Sequence, residues 1–426
     1  MKGEQFMNPV LDFIINQIFG QGAIFISLIA CVGLILQKKS SSEVIRGTFM
    51  TAIGYFVLTQ GSSMIQGAVT DVGTAFSAIM NSPAPGESVD IGGQYGTQIG
   101  IVMLIGFFIN LLVARFTKFK TVFLTGHMLY WFPFVFVAAG VDAGMKGVGL
   151  VIFAGIFTAV YMVVAPNLMR PLVKKVTGDD SFSLAHPTTP LSLLAAGVAK
   201  LVGDPSHSTE DIKFPKALNF CREVSIICSI VIFLTYVVMA LLLGPNADAV
   251  LFNGTAPFVY FFNKTMTFGA GVTVLLLGVR MLIAEIVPAF TGFSEKLVPG
   301  AIPALDCPTL FPYGPNANVL GFLCSLVGSI VAILIFNSMG IFPGVVVPLA
   351  FTCFFEAGTA AIIANAYGGV RGCVVASFIN GIVMVLLVGF GGYFFSNTIQ
   401  NWMLVFGGND FDLWGIIAGL FAKLFA

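Results

Sequence analysis

The sequence predicts an all-α polytopic membrane protein with about eleven transmembrane helices and two re-entrant hairpins. Of its 426 residues, 57% are hydrophobic and 9% are charged, whereas soluble domains carry about 25% charged residues. Apolar stretches of the roughly 20 residues that a spanning helix needs recur along the chain. Two further apolar stretches are broken by prolines and polar residues, which a bilayer tolerates only beneath protein or beside a water-filled cavity.

The predicted spans follow one another along the chain, after a short amphipathic helix at 6–19 that would lie on the membrane surface. They are 21–37, 46–66, 97–114, 121–141, 147–166, 223–245, 257–283, 317–338, 342–366, 372–395 and 409–425. Lysine and arginine follow the first, third and fifth spans, whereas loops 67–96, 246–256 and 396–408 contain neither. By the positive-inside rule, the N-terminus is predicted to lie outside and the C-terminus in the cytoplasm.

The two broken segments occupy 181–202 and 284–316, and both begin and end on the predicted cytoplasmic side. Each half of the chain therefore has about five spans and one broken segment, the pattern of transporters built from inverted repeats. The first half covers about 1–203 and the second about 219–426, joined by the polar linker 204–218. We predict one membrane domain over 1–426, whose broken segments line a polar cavity.

The stretch 278–318 holds an unusual density of charges and prolines for a membrane chain. Asp306 lies between Pro303 and Pro308, where its carboxylate can accept hydrogen bonds from sugar hydroxyls or carry a coupling proton. The alternative is a structural cap or a partner for a basic residue. Glu285 is predicted to face the cavity or to bond backbone amides, and the pattern does not decide between structure and function for Glu356.

Polar residues of the first half supply the other candidates. His127 has Trp131 one helical turn later, which suits the polar and apolar faces of a sugar, although both could be packing residues. His186 and Thr188 lie in a proline-bounded tip that predicts a ligand cradle or, alternatively, a solvated loop. Gln60 ends a predicted span and lies either near the ligand or simply at a polar helix end.

The sequence also argues against several classes of protein. It has no P-loop, HExxH, Ser/His/Asp arrangement or Rossmann fingerprint, so no cofactor is predicted. The three histidines and scattered acids do not have metal-ligand spacing, so no metal is predicted. A formal net charge of zero gives no support for nucleic-acid binding. The seven scattered cysteines form no CxxC pair and are predicted to be small buried hydrophobes.

Several segments resemble the ascorbate-type membrane component, EIIC, of the bacterial sugar phosphotransferase system. The most specific is GVRMLIAEIVPAFTGFSEKLVPGAIPALDC with PYGPNA, and weaker ones are KTVFLTGHM and GYFVLTQGSS. The segment LAHPTTPLSLLAAGVAKLVG with EDIKFP is also similar to the related galactitol-type components. The resemblance runs from about residue 10 to 400.

The resemblance implies a homodimer in the bacterial inner membrane, with interleaved scaffold and core subdomains and an elevator-type exchange of access. It implies a sugar-type substrate phosphorylated by a phosphorylated IIB partner, which IIA, HPr and EI supply. Phosphoryl transfer then belongs to those separate components, and the membrane subunit has no catalytic residue of its own. Residue by residue, it points to Asp306, His127, Glu285 and His186 as the binding site.

Two positions depart from the pattern that the ascorbate-type resemblance implies. That pattern has glutamine four residues after the histidine of the span and directly after the histidine of the hairpin. Here they are Trp131 and Pro187, so a different sugar acid, polyol or pentose-like substrate is an open alternative. A proton- or sodium-coupled secondary transporter acting through Asp306 or Glu285 is the second hypothesis. A channel or structural membrane protein is the third, and the polar breaks argue against it.

Overall fold

The structure, a computed structural model, describes residues 22–79, 89–213, 220 and 223–425. The predicted surface helix at 6–19 and part of the linker 204–218 lie outside these residues. The described chain is mainly helical, as its composition predicted. Its α-helices are α1 Gly22–Leu36, α2 Ser41–Ile79, α3 Ile91–Gln94, α4 Gly96–Phe116, α5 Met128–Asp142, α6 Gly147–Thr177, α7 Thr189–Val202, α8 Val224–Leu243, α9 Pro257–Leu297, α10 Pro315–Met339, α11 Ala350–Thr352, α12 Gly358–Phe395, α13 Gln400–Phe406 and α14 Asp410–Phe425.

Within the described residues, five helical segments are long and apolar enough to cross a membrane. They are Gly96–Phe116, Gly147–Thr177, Val224–Asn246, Pro315–Met339 and Ala350–Phe395. Many large apolar side chains on these helices are exposed, as lipid-facing side chains are in membrane proteins. The membrane class is thus confirmed, while the count of eleven spans and the two re-entrant hairpins stay predictions.

Two predicted boundaries differ from the structure, and one predicted gap between spans coincides with a break in a helix. The predicted span 121–141 is wrong at its start, because α5 begins only at Met128. The predicted spans 342–366 and 372–395 flank a break inside α12, where Gly368 and Gly369 leave the helical conformation. Gly369 has φ +58°, a value that glycine adopts without steric penalty. Helix α9 continues to Leu297, well beyond the predicted end of its span at 283.

A three-stranded parallel sheet, which the sequence did not predict, lies among the helices. Its strands are β1 Thr121–Phe123, β2 Ser183–Leu184 and β3 Ile302–Leu305, in the order β1-β3-β2. Val122 pairs with Pro303, and Leu184 pairs with Leu305. The central strand comes from the second half of the chain and both outer strands from the first. Because the strands are parallel, their carboxyl ends lie along one edge of the sheet.

An ion-paired loop precedes β2. Arg170 Nε lies 2.9 Å from Asp180 Oδ1, and Lys174 Nζ lies 3.1 Å from Asp180 Oδ2. Hydrogen bonds from Arg170 and Lys174 lower the pKa of Asp180 from its usual 3.8 to about 2. This cluster therefore makes its full contribution to stability at pH values above 3.8, the usual pKa of the carboxyl. The contribution is lost only as the pH falls toward about 2.

Helices α2 and α9 form a closely packed pair, and small residues make that approach possible. A Cβ atom added to Gly61 or to Gly278 would collide with the backbone of the facing helix, at Leu275 and Leu58 respectively. Glycine at such positions lets helix backbones approach closely in lipid, where van der Waals packing drives association.

Replacing Gly278 with alanine is therefore expected to destabilise the protein by about 1–3 kcal/mol, the usual range for overpacking a tight interface. Gly67→Ala on α2 is the matched control, because a Cβ there would meet nothing within 4 Å. Thermal unfolding of the detergent-purified variants, followed by tryptophan fluorescence, compares the two. Equal transition temperatures would show that the α2–α9 contact tolerates a methyl group.

Candidate functional site

Three polar residues follow the carboxyl ends of the three strands. Asp306 comes directly after β3, His186 follows β2 by two residues, and His127 follows β1 by four. The relative exposures of Asp306, His186 and His127 are 4%, 5% and 6%. The common strand edge brings together residues that are far apart in the sequence, and it buries all three.

The imidazoles of His127 and His186 converge on the carboxylate of Asp306. His186 Nε2 lies 3.4 Å from Asp306 Oδ1, and His127 Nε2 lies 3.9 Å from Asp306 Oδ2. Charge-assisted hydrogen bonds to carboxylates are usually about 2.7–2.9 Å long, so these groups face one another without a short bond. Neither His127 Nδ1 nor His186 Nδ1 has a hydrogen-bond partner among the described residues.

Asp306 also has a structural contact. Its Oδ1 accepts a hydrogen bond of 2.8 Å from Cys307 N and caps the 3₁₀ turn Cys307–Thr309. This cap fixes the carboxylate at the end of β3 and leaves Oδ2 directed toward His127. The two interpretations left open for Asp306 are therefore compatible, since one carboxylate can cap a turn and face a ligand.

This residue set could also coordinate a cation. His127, His186 and Asp306 each offer one ligand atom, and these atoms lie within 4.8 Å of one another. Two imidazoles and a carboxylate are a donor set that suits first-row divalent metals. The sequence predicted no metal because the three residues share no local spacing, and only the sheet brings them together. The same groups can donate to and accept from hydroxyl groups.

An aromatic surface lies beside these polar groups. Trp131 packs against Trp402 of α13, with ring centroids 5.1 Å apart and an interplanar angle of 38°. Both rings line the cavity that His127, His186 and Asp306 share. Described residues of α2 and α9 complete the cavity wall, among them Leu58, Ser62, Leu275 and Leu276.

Thr188 joins the two halves of the chain. Its Oγ1 donates a 2.8 Å hydrogen bond to the backbone carbonyl of Glu356 and lies 3.0 Å from Ser192 Oγ. The neighbouring Thr189 N donates to Asp410 Oδ2 at 2.7 Å. The start of α7 is thus fixed against the second half, and with it the backbone that carries His186.

The structure places Gln60 and Glu285 away from this cavity lining. Gln60 is exposed on α2, and Ser62 on the same helix lines the cavity instead. Glu285 is 8% exposed, and its Oε1 lies 2.9 Å from Arg46 Nη2. The ion pair joins α2 to α9, and no local sequence pattern predicts it because the partners are in different halves of the chain.

Sequence reasoning missed two prominent residues of the cavity. No sequence pattern points to Trp402, because it lies in a predicted loop with no polar motif beside it. The sequence does not distinguish a structural from a functional role for Glu356, because a single acid in an apolar run forms no pattern. Five phenylalanine and methionine side chains also line the cavity, namely Met128, Phe351, Phe355, Phe406 and Phe411.

The family model of the PTS system sugar-specific permease component, EIIC-GAT, matches residues 17–410 of this chain. The chain belongs to the EIIC-GAT family. This match confirms the family resemblance drawn from the sequence. The protein is therefore an integral membrane protein of the phosphotransferase system. The matched EIIC-GAT region contains every site residue that the sequence predicted.

A curated relative agrees with this family assignment. The ascorbate-specific PTS system EIIC component of Mycoplasma pneumoniae (strain ATCC 29342 / M129 / Subtype 1) is 25% identical to this EIIC-GAT chain. The match covers 96% of this chain and 71% of the relative's length.

Proposed function

We propose that this protein is the permease subunit of a sugar phosphotransferase system that translocates ascorbate or a related sugar acid or polyol. The observation that carries the proposal is the convergence of Asp306, His186 and His127 beside Trp131 in a buried cavity of an EIIC-GAT chain. A few polar groups converging in a largely apolar pocket are typical of small-molecule sites.

Each group has a definite part in the proposed site. The Asp306 carboxylate accepts hydrogen bonds from sugar hydroxyls, and the imidazoles of His127 and His186 can donate or accept according to their tautomer. The Trp131 ring packs against the apolar C–H face of the sugar. Thr188 holds the backbone near His186 in place through its bond to the Glu356 carbonyl. Glu285 pairs with Arg46 and stabilises the α2–α9 contact rather than touching the ligand.

The proposed mechanism is an elevator-type movement in a homodimer with the N-terminus outside and the C-terminus in the cytoplasm. The position of the cavity supports it. One wall of the cavity comes from the α2–α9 pair, and the remaining lining residues come from the strand ends, from α5, α11, α13 and α14, and from the turn between α11 and α12. Sliding one wall past the other would expose the site to alternate sides. A phosphorylated IIB partner, charged through IIA, HPr and EI, then phosphorylates the delivered substrate.

The test is uptake by vesicles that contain the protein, with and without phosphoenolpyruvate, the general phosphotransferase components and IIA and IIB. We expect uptake of a labelled sugar acid or polyol to require phosphoenolpyruvate and to yield the phosphorylated product. A protonophore should have no direct effect. Accumulation of unmodified substrate that a protonophore abolishes would contradict the proposal and support a proton-coupled transporter instead.

A further inference from the structure

A second cavity, lined by basic side chains, lies where helices α4 and α6 end. Its volume is about 360 Å³, within the range of small-molecule sites. Lys118, two residues after α4, lines it together with Arg170 and Lys174 near the end of α6. Asp180 is the only acid among the described lining residues. This basic cleft therefore has an excess of positive charge, which favours an anionic ligand.

The basic groups of the cleft are not fully used by the protein itself. Asp180 bonds to Arg170 and Lys174, but a guanidinium has five N–H donors and an ammonium has three. Lys118 is exposed and has neither an ion-pair partner nor a hydrogen-bond acceptor among the described residues. Donors therefore remain free on both sides of the cleft.

The lengths of the two helices indicate the depth of the cleft in the membrane. Both helices are long and apolar enough to cross a membrane. Helix α4 has 21 residues and is therefore about 30 Å long, the thickness of the hydrocarbon core. Asn167, which also lines the cleft, lies about 30 Å along α6 from its first residue. These lengths place the cleft at the level of the phospholipid headgroups, on the side that the sequence predicts to be cytoplasmic.

Exposed apolar side chains recur every four residues on both helices, in the direction of the cleft. On α4 they are Phe108, Leu112 and Phe116, and on α6 they are Ile152, Ile156 and Val160. Residues four apart share one face of a helix, so each set forms an apolar stripe. The stripe on α4 ends at Phe116, which is 78% exposed, two residues before Lys118. A phospholipid matches both features, because its acyl chains can lie on the stripes while its phosphate enters the cleft.

We propose that the basic cleft binds the headgroup phosphate of an anionic phospholipid. Lys118 contacts the phosphate from the α4 side, and Arg170 and Lys174 contact it from the α6 side. Basic pockets between membrane helices on the cytoplasmic side are typical binding sites for anionic headgroups. A folded partner such as phosphorylated IIB would match the charge of the cleft but not the apolar stripes at membrane depth.

The bound lipid would also connect two segments that enter the parallel sheet. Lys118 lies three residues before β1, and Asp180 lies three residues before β2. Asn167 Nδ2 donates a hydrogen bond to the hydroxyl of Thr121, the first residue of β1. The inference goes beyond the proposed function, because it concerns a lipid and holds for any cargo.

The test measures lipid binding to the detergent-purified protein by native mass spectrometry. The probes are dioleoyl phosphatidylglycerol, which is anionic, and dioleoyl phosphatidylcholine, which has no net charge. The wild type is expected to bind phosphatidylglycerol more tightly. Lys118→Gln is expected to lower that affinity about fivefold, the effect of one lysine beside an anionic lipid. Adding Lys174→Gln should lower it by about fivefold again, and neither change should alter the affinity for phosphatidylcholine.

Lys146→Gln is the matched control. Lys146 is exposed and directly precedes α6, so it lies at the opposite end of that helix from Lys174. The substitution removes the same charge from the protein without touching the cleft. Its affinity for phosphatidylglycerol should equal that of the wild type, and thermal unfolding checks that each variant is folded.

Four outcomes would overturn the inference. The first is equal affinity of the wild type for the two lipids, and the second is a Lys118→Gln affinity equal to that of Lys146→Gln. The third is displacement of phosphatidylglycerol by an equal concentration of inorganic phosphate, which would indicate a site for the free ion. The fourth is its displacement by phosphorylated IIB, with loss of IIB binding in Lys118→Gln, which would assign the cleft to that protein. None of these measurements uses a sugar, so such a failure leaves the permease proposal to its own uptake assay.

Discussion

Asp306→Asn is expected to weaken substrate binding by a factor on the order of 100, because hydrogen bonds to a charged group contribute about 1.5–3 kcal/mol. The substituted side chain would keep an amide oxygen that can cap the Cys307 amide, so the turn after β3 should survive. What it would lose is the charge that His127 and His186 face. Calorimetry on the purified variant measures the affinity, and size-exclusion chromatography checks its assembly.

The control for this variant is Asp211→Asn, which removes one acid from an exposed turn outside the cavity. Its affinity should equal that of the wild type. If Asp306→Asn also binds with wild-type affinity, Asp306 is only the cap of its turn. The proposed site would then lose its central group.

His186→Phe is expected to abolish phosphoenolpyruvate-dependent uptake, with a loss of affinity also on the order of 100-fold. Phenylalanine fills the buried volume but supplies neither ring nitrogen, and the imidazole lies between Asp306 and Glu356. Both carboxylates would then face an apolar ring, which is unfavourable for buried charges. Uptake and binding should therefore fall together, while expression in the membrane is kept.

The chain offers a matched control in its third histidine. His207 is exposed in the polar linker, with a side-chain exposure of 79%. His207→Phe should leave uptake unchanged. Wild-type uptake by His186→Phe would show that the residue is a packing group and that the ligand binds elsewhere.

The membrane class and the family could be predicted from the sequence, because both depend on long segments. Apolar runs identify spanning helices from composition alone, and the 278–318 motif is extended enough to be specific. The sequence also indicated His127, as a polar residue inside a predicted span, and His186 and Asp306, which lie in proline-bounded polar segments. The small sheet that brings these three residues together could not be predicted from those local patterns.

The features that could not be predicted are either very short or depend on contacts between distant segments. Strands of two to four residues are too short to show an alternating pattern, so the sheet could not be predicted. The pairing of Glu285 with Arg46 depends on how α2 crosses α9. The exposure of Gln60 depends on the rotation of α2, and a helix that is apolar on most sides has no clear inner face. Trp402 reaches the cavity only because α13 folds back onto α5.

The small parallel sheet has a mechanical consequence. Hydrogen bonds between the strands join β1 and β2 to β3. The backbone segments that carry His127, His186 and Asp306 therefore form one rigid unit. In the proposed elevator-type mechanism, a movement that carries this whole unit would change the side of the membrane that the cavity faces and would preserve the spacing of the three groups. The intrinsic affinity for the cargo would then be equal on both sides of the membrane. Net direction would have to come from a later, irreversible chemical step.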